Sequence, residues 1–194
     1  MTDRLTDRLT DRFPGSPTHR VLSLFSRGEA FDSEGFTHFF TDTPAYQFGN
    51  FEVCLNKAAI KASADNFFNN INAVYHEIKM MWEHGNSVFV EMDVQYWRKD
   101  NSYISLPCFD IFRMEPGTDL FSELRIFMDV NPVFEPTRPV AANASILTIA
   151  EGKTIVAPGT MKRFFAEDPE GKARVAAGFI PKWSTNGPNW AIAS

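Results

Sequence analysis

Three segments in the first third of the chain have the spacing of apolar residues that is typical of amphipathic helices. Ser16-Pro17 predicts the start of the first helix, since serine caps a helix and proline suits its first turn, and Gly28 predicts its end. Asp32 and Asn56 predict the starts of the second and third helices. The inward positions are Val21, Leu22, Leu24 and Phe25 in the first helix, Phe36, Phe39 and Phe40 in the second, and Ile60, Ala64, Phe67 and Ile71 in the third.

From residue 73 the pattern changes to the alternation of apolar and polar positions that is typical of β-strands. We predict long strands over residues 73–83, 88–98, 102–114 and 120–130, joined by turns that contain Gly, Asn or Asp. A shorter strand is predicted over residues 45–51, before the third helix. Helices followed by an antiparallel meander of at least four strands predict an α+β fold.

The same pattern divides the chain into three parts. Residues 1–16 contain a repeated TDR and are predicted to be a flexible leader, and residues 17–134 are predicted to form the folded domain. Residues 135–194 are predicted to be an extension that packs on this domain or on a partner subunit, because they contain no independent core. Within the extension, residues 146–158 predict a small hairpin, and Asp168-Pro169-Glu170 predicts the second of two short helices, ended by Gly178.

The even-numbered residues of the four long strands form an apolar face that contains two ionisable side chains, His76 and Asp110. Simple hairpin registers keep these faces together, so the two residues share one wall. The odd-numbered faces mix aromatic residues, including Phe109, Phe121 and Phe127, with charged ones. A half-apolar second face predicts a covered surface or a subunit contact.

Asp110 among apolar neighbours has two interpretations. Burial opposes ionisation, so its pKa is expected to rise, and the protonated acid then donates a hydrogen bond in a functional pocket. Alternatively, Asp110 is a structural acid, paired with a backbone amide, a hydroxyl or a buried cation. His76 also has two interpretations, as a chemical group or as a core histidine, and the second is favoured because a core histidine with one satisfied nitrogen is common. Because the strand over 88–98 separates them, direct contact between His76 and Asp110 is not expected.

Composition excludes several classes of protein. The chain has 194 residues, a net charge of −5 and no large basic cluster, which argues against nucleic-acid binding. The sequence shows no apolar run of membrane-spanning length and no secretory signal, and Cys54 and Cys108 are interpreted as free thiols, so a cytoplasmic protein without membrane contact is expected. No phosphate-binding glycine loop and no metal-ligand spacing of histidines occur, so no cofactor and no metal are expected.

Several segments between residues 17 and 134 together resemble the SnoaL-like family of the nuclear transport factor 2-like superfamily. They are "AYQFGN", "NKAAIKASADNFF", "VEMDVQYWRKD", "LPCFDIFRMEPG" and "LRIFMDVNPVF". The resemblance rests on their order and spacing and on the patterns D-x-F-R and R-x-F-x-D. It implies a cone-shaped α+β barrel, in which a curved sheet and N-terminal helices enclose a pocket. Relatives include polyketide cyclases, ketosteroid isomerases, limonene epoxide hydrolases and non-catalytic members, so the fold alone leaves the function open.

The resemblance to ketosteroid isomerase implies a role for Asp110. The isomerase strand that carries an oxyanion-hole aspartic acid, kept neutral by apolar surroundings, is similar to "CFDIFRM", and Asp110 takes the place of that acid. Two other parts of the isomerase site have no counterpart. The tyrosine of the first helix falls near Leu24, and the general-base aspartate falls near Phe48.

The resemblance to limonene epoxide hydrolase extends to fewer site residues. Its Arg and Asp on the second long strand fall near Met92 and Val94, and its last-strand Asp falls near Ile126. Tyr46 and Asn50 are plausible counterparts of the Tyr and Asn that precede its third helix. Epoxide hydrolysis by that mechanism is therefore not expected.

Three hypotheses of function follow. The first is acid–base chemistry, such as cyclisation, isomerisation or hydration, on a small apolar and polycyclic or terpenoid molecule, with Asp110, His76 and Tyr46 as the catalytic candidates. The second is a non-catalytic module with the same pocket, and the third is an interaction protein that acts through its sheet face or its tail. In the first two, the residues expected to bind the ligand are Phe48, Asn50, Met92, Val94, Tyr96, Cys108, Phe112, Leu124 and Ile126. A homodimer through the outer sheet face is also expected.

Overall fold

The computed structural model describes residues 15–135, 154–155 and 159–186. The predicted leader, apart from its last two residues, and most of the predicted hairpin over 146–158 lie outside these residues. Among the helices that the structure describes, none has both the length and the apolar character required to span a membrane.

Three helices form near the N-terminus, as the sequence predicts. Helix α1 (Pro17–Glu29) is capped by the Ser16 side chain, α2 (Ser33–Thr37) by Asp32, and α3 (Lys57–Asn69) by Asn56. Helix α2 is shorter than predicted: Phe40 belongs to the first strand. Helix α3 also ends earlier, so Ile71 begins a strand instead of continuing the helical stripe.

Within the described residues, six strands form one sheet in the order β1-β5-β4-β3-β2-β6. Strands β2 (Ile71–His84), β3 (Ser87–Arg98), β4 (Tyr103–Met114) and β5 (Phe121–Phe127) are the predicted antiparallel meander. Strand β1 (Phe40–Phe48) pairs in parallel with β5 at one edge, and the two-residue β6 (Thr154–Ile155) pairs with β2 at the other. The fold class is confirmed as α+β, with a curved sheet that does not close on itself and helices that cover its concave face.

Strand β2 departs from the predicted single apolar face because it contains a β-bulge. Ile78 pairs with Met92, whereas Met80 pairs with Glu91 and Met81 with Val90. The bulge reverses the side-chain alternation, so Met81 joins the inner core, and Trp82 stacks on Phe89 on the outer face. The prediction that Trp82 faces inward is therefore wrong.

A second irregularity places Phe121 in the core. Arg113 pairs with Glu123, but Met114 pairs with Phe121, so β5 has one extra residue between these two pairs. This extra residue reverses which side chains point inward at the start of the strand. Phe121 is fully buried and contacts Phe112 at 5.0 Å between ring centroids. The expectation that Phe121 lies on the outer face is wrong, since simple alternation cannot indicate the extra residue at a bulge.

Helices of the extension contact α1 and β2. After β5 the chain forms the four-residue helix α4 (Asn131–Phe134). In the extension, α5 (Thr160–Glu167) packs on α1 and β2, α6 (Pro169–Ala176) contacts α1, and α7 (Lys182–Asn186) packs on β2. Asp168 caps α6, as predicted, and its other carboxylate oxygen lies 3.0 Å from His19 Nε2 of α1. The Ser23 hydroxyl of α1 donates to Glu170 at 2.6 Å. Side chains of the extension are thus bonded to the first helix of the domain.

Candidate functional site

A cavity of about 80 Å³ lies between the concave face of the sheet and helices α1, α2 and α3. Strands β1 to β5 contribute one wall, and Leu24, Phe25, Phe36, Ala64 and Phe67 of the helices contribute the other. Most of the lining is aliphatic or aromatic, and aromatic rings contact each other around it, for example Phe67 and Tyr96 at 5.7 Å. Apolar walls exclude water, so each polar group in the cavity has a large effect on its chemistry.

Asp110 lies on the cavity wall in the middle of β4 and is 1% exposed. Burial raises the pKa of its carboxyl from 3.8 to about 8, and a hydrogen bond from the Cys108 thiol at 3.3 Å has a weaker effect in the opposite direction. At neutral pH the carboxyl is therefore mostly protonated. A neutral acid can donate its proton, or a hydrogen bond, to an oxygen atom of a molecule in the cavity.

Two tyrosines on the cavity wall stay protonated for the same reason. Burial raises the pKa of Tyr46 well above its usual range, and the nearby Asp110 adds to this shift. The pKa of Tyr96 is also raised by burial, and its hydroxyl donates to the Met128 sulfur at 3.4 Å. Both hydroxyls are thus suited to donate hydrogen bonds and unsuited to act as bases.

His76 of β2 lines the cavity and is held by a carboxylate that the sequence analysis missed. Its Nδ1 lies 3.0 Å from Oε1 of Glu29, and its backbone N–H donates to the same oxygen at 2.9 Å. The imidazole also stacks on Phe25, with ring centroids 4.3 Å apart and planes within 9°. The Nδ1 bond leaves Nε2 as the ring nitrogen that a molecule in the cavity can reach.

Glu29, the last residue of α1, is fully buried and accepts a third hydrogen bond. The indole Nε1–H of Trp183, in α7 of the extension, donates to Oε2 at 2.6 Å. Each carboxylate oxygen therefore has at least one donor, which makes an ionised carboxylate tolerable in the core. With Glu29 as acceptor, Nδ1 of His76 is the donor in this contact, and Nε2 is the ring nitrogen that Glu29 does not engage.

The pairing of the strands places His76 and Asp110 at different ends of the cavity. His76 is opposite Val94 and Asp110 is opposite Val90, so the two are separated by β3 and by four residues along it. The lateral separation of their strands is roughly 10 Å. A single molecule that contacts both side chains must therefore be elongated.

Most residues that the sequence analysis chose as candidates line this cavity. Those that do are Tyr46, Phe48, His76, Met92, Val94, Tyr96, Cys108, Asp110, Leu124 and Ile126. Asn50 and Phe112 do not. Asn50 is exposed in the turn that follows β1, and Phe112 is buried between Phe25 and Phe121. The sequence analysis also missed Glu29 and Trp183, whose contacts connect residues far apart in the chain.

The described residues include no group of three or more His, Cys, Asp or Glu side chains placed to bind a metal ion together. The polar groups of the cavity are instead a protonated carboxyl, two phenols, a thiol, the Ser63 hydroxyl and the Glu29-bound imidazole. These groups can donate protons, accept protons and donate hydrogen bonds.

Comparisons by sequence identify no relative: no family model matches the chain, and no curated protein does. Comparison of the structure gives many matches among solved structures. A protein assigned as a SnoaL-like polyketide cyclase from Jannaschia sp. CCS1 matches with a TM-score of 0.55 and 17% identity, over 66% of this chain and 99% of that one. A LEH-like epoxide hydrolase from M. tuberculosis matches with a TM-score of 0.51 and 12% identity, over 60% and 85%.

A third match is a protein from Catenulispora acidiphila DSM 44928, described as having a ketosteroid isomerase-like fold and solved in complex with trimethylamine. Its TM-score is 0.53 and its identity 11%, over 59% of this chain and 89% of that one. At such identities the matches show the fold. They confirm the fold that the sequence resemblance implies, and about a third of this chain or more lies beyond the part that each match covers.

Proposed function

We propose that this protein catalyses acid–base chemistry, without a cofactor, on a small apolar molecule that carries a carbonyl oxygen. The observation that carries the proposal is that one apolar cavity contains both a protonated Asp110 and a His76 whose Nδ1 is bonded to the buried Glu29. Asp110 acts as the hydrogen-bond donor and acid, and His76 acts as the base. Ring nitrogen Nε2 of His76 takes the proton, as an imidazole oriented by a carboxylate does in other enzymes.

The two roles combine in a single step. His76 removes a proton from carbon, and the electron pair of the broken C–H bond moves toward the carbonyl oxygen. Asp110 donates a hydrogen bond to that oxygen, where negative charge develops, and Tyr46 and Tyr96 are the other donors on the same wall. Return of the proton to a different carbon completes an isomerisation. Attack of the new carbon nucleophile on a second carbonyl carbon of the same molecule breaks the π bond of that carbonyl, and its oxygen takes the proton back from His76, which completes a cyclisation.

The separation of His76 from Asp110 favours an unsaturated carbonyl compound. Since the base and the oxygen-binding acid lie at different ends of the cavity, the electron pair must travel along the substrate. A conjugated or readily conjugated double bond provides this path. A cavity of about 80 Å³ is smaller than the ~150 Å³ cavity that accommodates benzene, so any substrate that contacts both His76 and Asp110 requires the cavity to widen, and a slender unsaturated ketone requires less widening than a polycyclic or terpenoid molecule.

The names of the structural neighbours are consistent with pocket chemistry of this type. They include a polyketide cyclase and an epoxide hydrolase, and a third neighbour was solved with a small amine. We do not propose epoxide hydrolysis for this chain. Met92, Val94 and Ile126 are apolar at the positions where the resemblance implies the Arg and Asp residues of that reaction.

Exchange of carbon-bound protons for deuterium tests the proposal directly. Small unsaturated ketones are incubated with the protein in D₂O, and loss of their proton NMR signals is followed over time. We expect His76→Gln and Asp110→Asn each to lower the exchange rate by about 100-fold or more, because each removes one proton-handling group. Asp42→Asn, which changes an exposed acid of β1, is the control and should exchange at the rate of the unsubstituted protein.

The same assay separates catalysis from simple binding. Ala64→Leu fills the cavity from α3 and should abolish saturable binding of the ketones, measured by ligand-observed NMR. Saturable binding that Ala64→Leu abolishes, together with no proton exchange, would support the non-catalytic module instead. Absence of both binding and exchange over the whole set of ketones would contradict the proposed substrate class.

We propose a homodimer that forms through the outer face of the sheet. Trp82, Phe89 and Phe109 form an aromatic cluster there, with ring centroids 5.3 to 6.4 Å apart, and Phe127 of β5 is 46% exposed. Phe89→Glu places a charge in the centre of this cluster and should convert the dimer to a monomer in sedimentation experiments. A monomeric unsubstituted protein, or a dimer that Phe89→Glu leaves intact, would contradict this arrangement.

A further inference from the structure

Glu29 connects the cavity to the C-terminal extension through a continuous series of hydrogen bonds. Its Oε1 accepts from His76, whose ring lines the cavity, and its Oε2 accepts from the indole of Trp183 at 2.6 Å. Glu29 and Trp183 are both fully buried. The extension thus contributes a donor to the carboxylate that holds the proposed base.

The chemistry of the indole determines what this bond can do. Indole Nε1–H is a donor with no acceptor capacity, so Glu29 Oε2 can only be the acceptor in this contact. A bond at Oε2 fixes the rotation of the carboxylate and directs Oε1 toward His76. The orientation and the tautomer of the imidazole then depend on Trp183, although Trp183 is not among the residues that line the cavity.

Trp183 is itself held firmly in place. Its ring contacts Tyr75 at 5.5 Å and Phe165 at 6.1 Å between centroids, so both β2 and α5 position it. The bonds from His19 to Asp168 and from Ser23 to Glu170 attach the extension to α1, which ends at Glu29. These contacts hold the indole of Trp183 within hydrogen-bonding distance of the Glu29 carboxylate.

We propose that Trp183 is a positioning residue for the His76–Glu29 pair, and that the C-terminal extension is therefore part of the functional site. The proposal rests on the proposed function, in which His76 is the base. It assigns a purpose to residues beyond the predicted domain over 17–134, and the three solved structures compared above each cover between 59% and 66% of this chain.

Trp183→Phe tests the proposal, because phenylalanine keeps an aromatic ring between Tyr75 and Phe165 and removes the Nε1–H. The readout is the Nδ1–H signal of His76 in protein labelled with ¹⁵N-histidine, assigned with His76→Gln. We expect this proton to exchange with solvent at least about tenfold faster in Trp183→Phe. The substitution removes the hydrogen bond from the indole to Glu29, and the carboxylate that accepts the His76 proton is then less firmly held. Trp82→Phe makes the same chemical change on the outer face and should leave the signal unchanged.

The turnover of a ketone gives a second readout. Trp183→Phe should lower the proton-exchange rate and leave the saturable binding of the ketone close to that of the unsubstituted protein. An unchanged His76 signal in a folded Trp183→Phe variant would overturn the proposal. Since this signal needs no substrate, a changed signal in a protein that exchanges no ketone protons would reject the proposed function and retain the role of Trp183.

The unsubstituted protein provides a test that does not depend on folding of the variant. A Trp183 indole bonded to a buried carboxylate should exchange its Nε1–H at least about tenfold more slowly than the indole of the free model compound N-acetyltryptophanamide. An exchange rate equal to that of the model compound would show that the Trp183–Glu29 bond does not persist in solution and would overturn the proposal.

Discussion

The unsubstituted protein is expected to lose stability on the order of 5 kcal/mol as the pH rises from about 4 to about 8, and Asp110→Asn is expected not to show this loss. The Asp110 carboxyl has a pKa of about 8 in the folded protein, against 3.8 as its ordinary value. Between these two values the folded state binds a proton that the unfolded state has released. Stability therefore falls as the pH rises toward 8, and the contribution levels off below 3.8 and above 8.

The measurement is the free energy of unfolding in urea at a series of pH values, for the protein and for Asp110→Asn. The amide of asparagine has a similar shape and does not ionise, so the difference between the two curves isolates the carboxyl. We expect this difference to change by about 1.4 kcal/mol per pH unit over the window. Asp42→Asn removes an exposed acid instead, and its curve should stay parallel to that of the unsubstituted protein.

Parallel curves for the protein and Asp110→Asn would mean that Asp110 is ionised in the folded state. In that case Asp110 could not donate a proton or a hydrogen bond, and its role in the proposed reaction would be lost. Direct titration of the Asp110 carboxyl carbon by NMR gives the same information from the folded state alone.

Glu29→Ala is expected to destabilise the protein by about 3–5 kcal/mol, the second largest effect. The substitution removes the acceptor for three donors at once: the backbone N–H and Nδ1–H of His76, and the indole of Trp183. A buried donor without an acceptor still carries the free-energy cost of its removal from water, and no hydrogen bond offsets that cost. Glu29→Gln keeps one carbonyl acceptor and should lose less stability than Glu29→Ala.

Urea unfolding monitored by tryptophan fluorescence measures this effect. Glu34→Ala is the matched control, because Glu34 is an exposed acid whose contact with His38 is 3.8 Å long, and its loss should change stability by about 0.5 kcal/mol or less. If Glu29→Ala were no more destabilising than Glu34→Ala, the hydrogen bonds to Glu29 would contribute little. The proposed orientation of His76 would then lack its physical basis.

Parts of the fold were predictable because local signals were strong. The caps Ser16, Asp32, Asn56 and Asp168 each mark a helix start in the structure, since a capping side chain satisfies backbone N–H groups a few residues away. The antiparallel meander also followed from the alternation of the strands and the turns between them. Such signals act over a few residues, so the sequence contains them in full.

The errors occurred where the alternation is interrupted. In β2, the run Met80-Met81-Trp82 is apolar at every position, so nothing in it reveals that the bulge exchanges the inner and outer faces. In β5, Phe121 is equally compatible with either face. Both positions are decided by pairing with the neighbouring strand and by the space available in the core.

The candidate site likewise contains residues that a local sequence pattern identifies and residues that only the packing of the chain places there. Asp110 was identifiable because it is the single acid on an apolar face, and no bulge separates it from the alternation of β4. Glu29 carried no such signal, since it follows the Gly28 at which the sequence predicts the end of the helix, and the apolar spacing that marks buried positions stops there. Asn50 and Phe112 were assigned by resemblance and by alternation, and the turn after β1 and the depth of the core place them elsewhere.

The sequence by itself determined the α+β architecture and the position of Asp110 on the apolar face of the sheet, because alternation and apolar neighbours are local properties, and it left a raised pKa of Asp110 as one of two interpretations. The tertiary structure decided what surrounds that acid and what faces it. Three helices had to pack on the sheet to remove water from Asp110. Residues 29, 76 and 183 had to meet so that Glu29 could accept hydrogen bonds from both His76 and Trp183. Contacts between residues so far apart in the chain arise only when the whole core has formed.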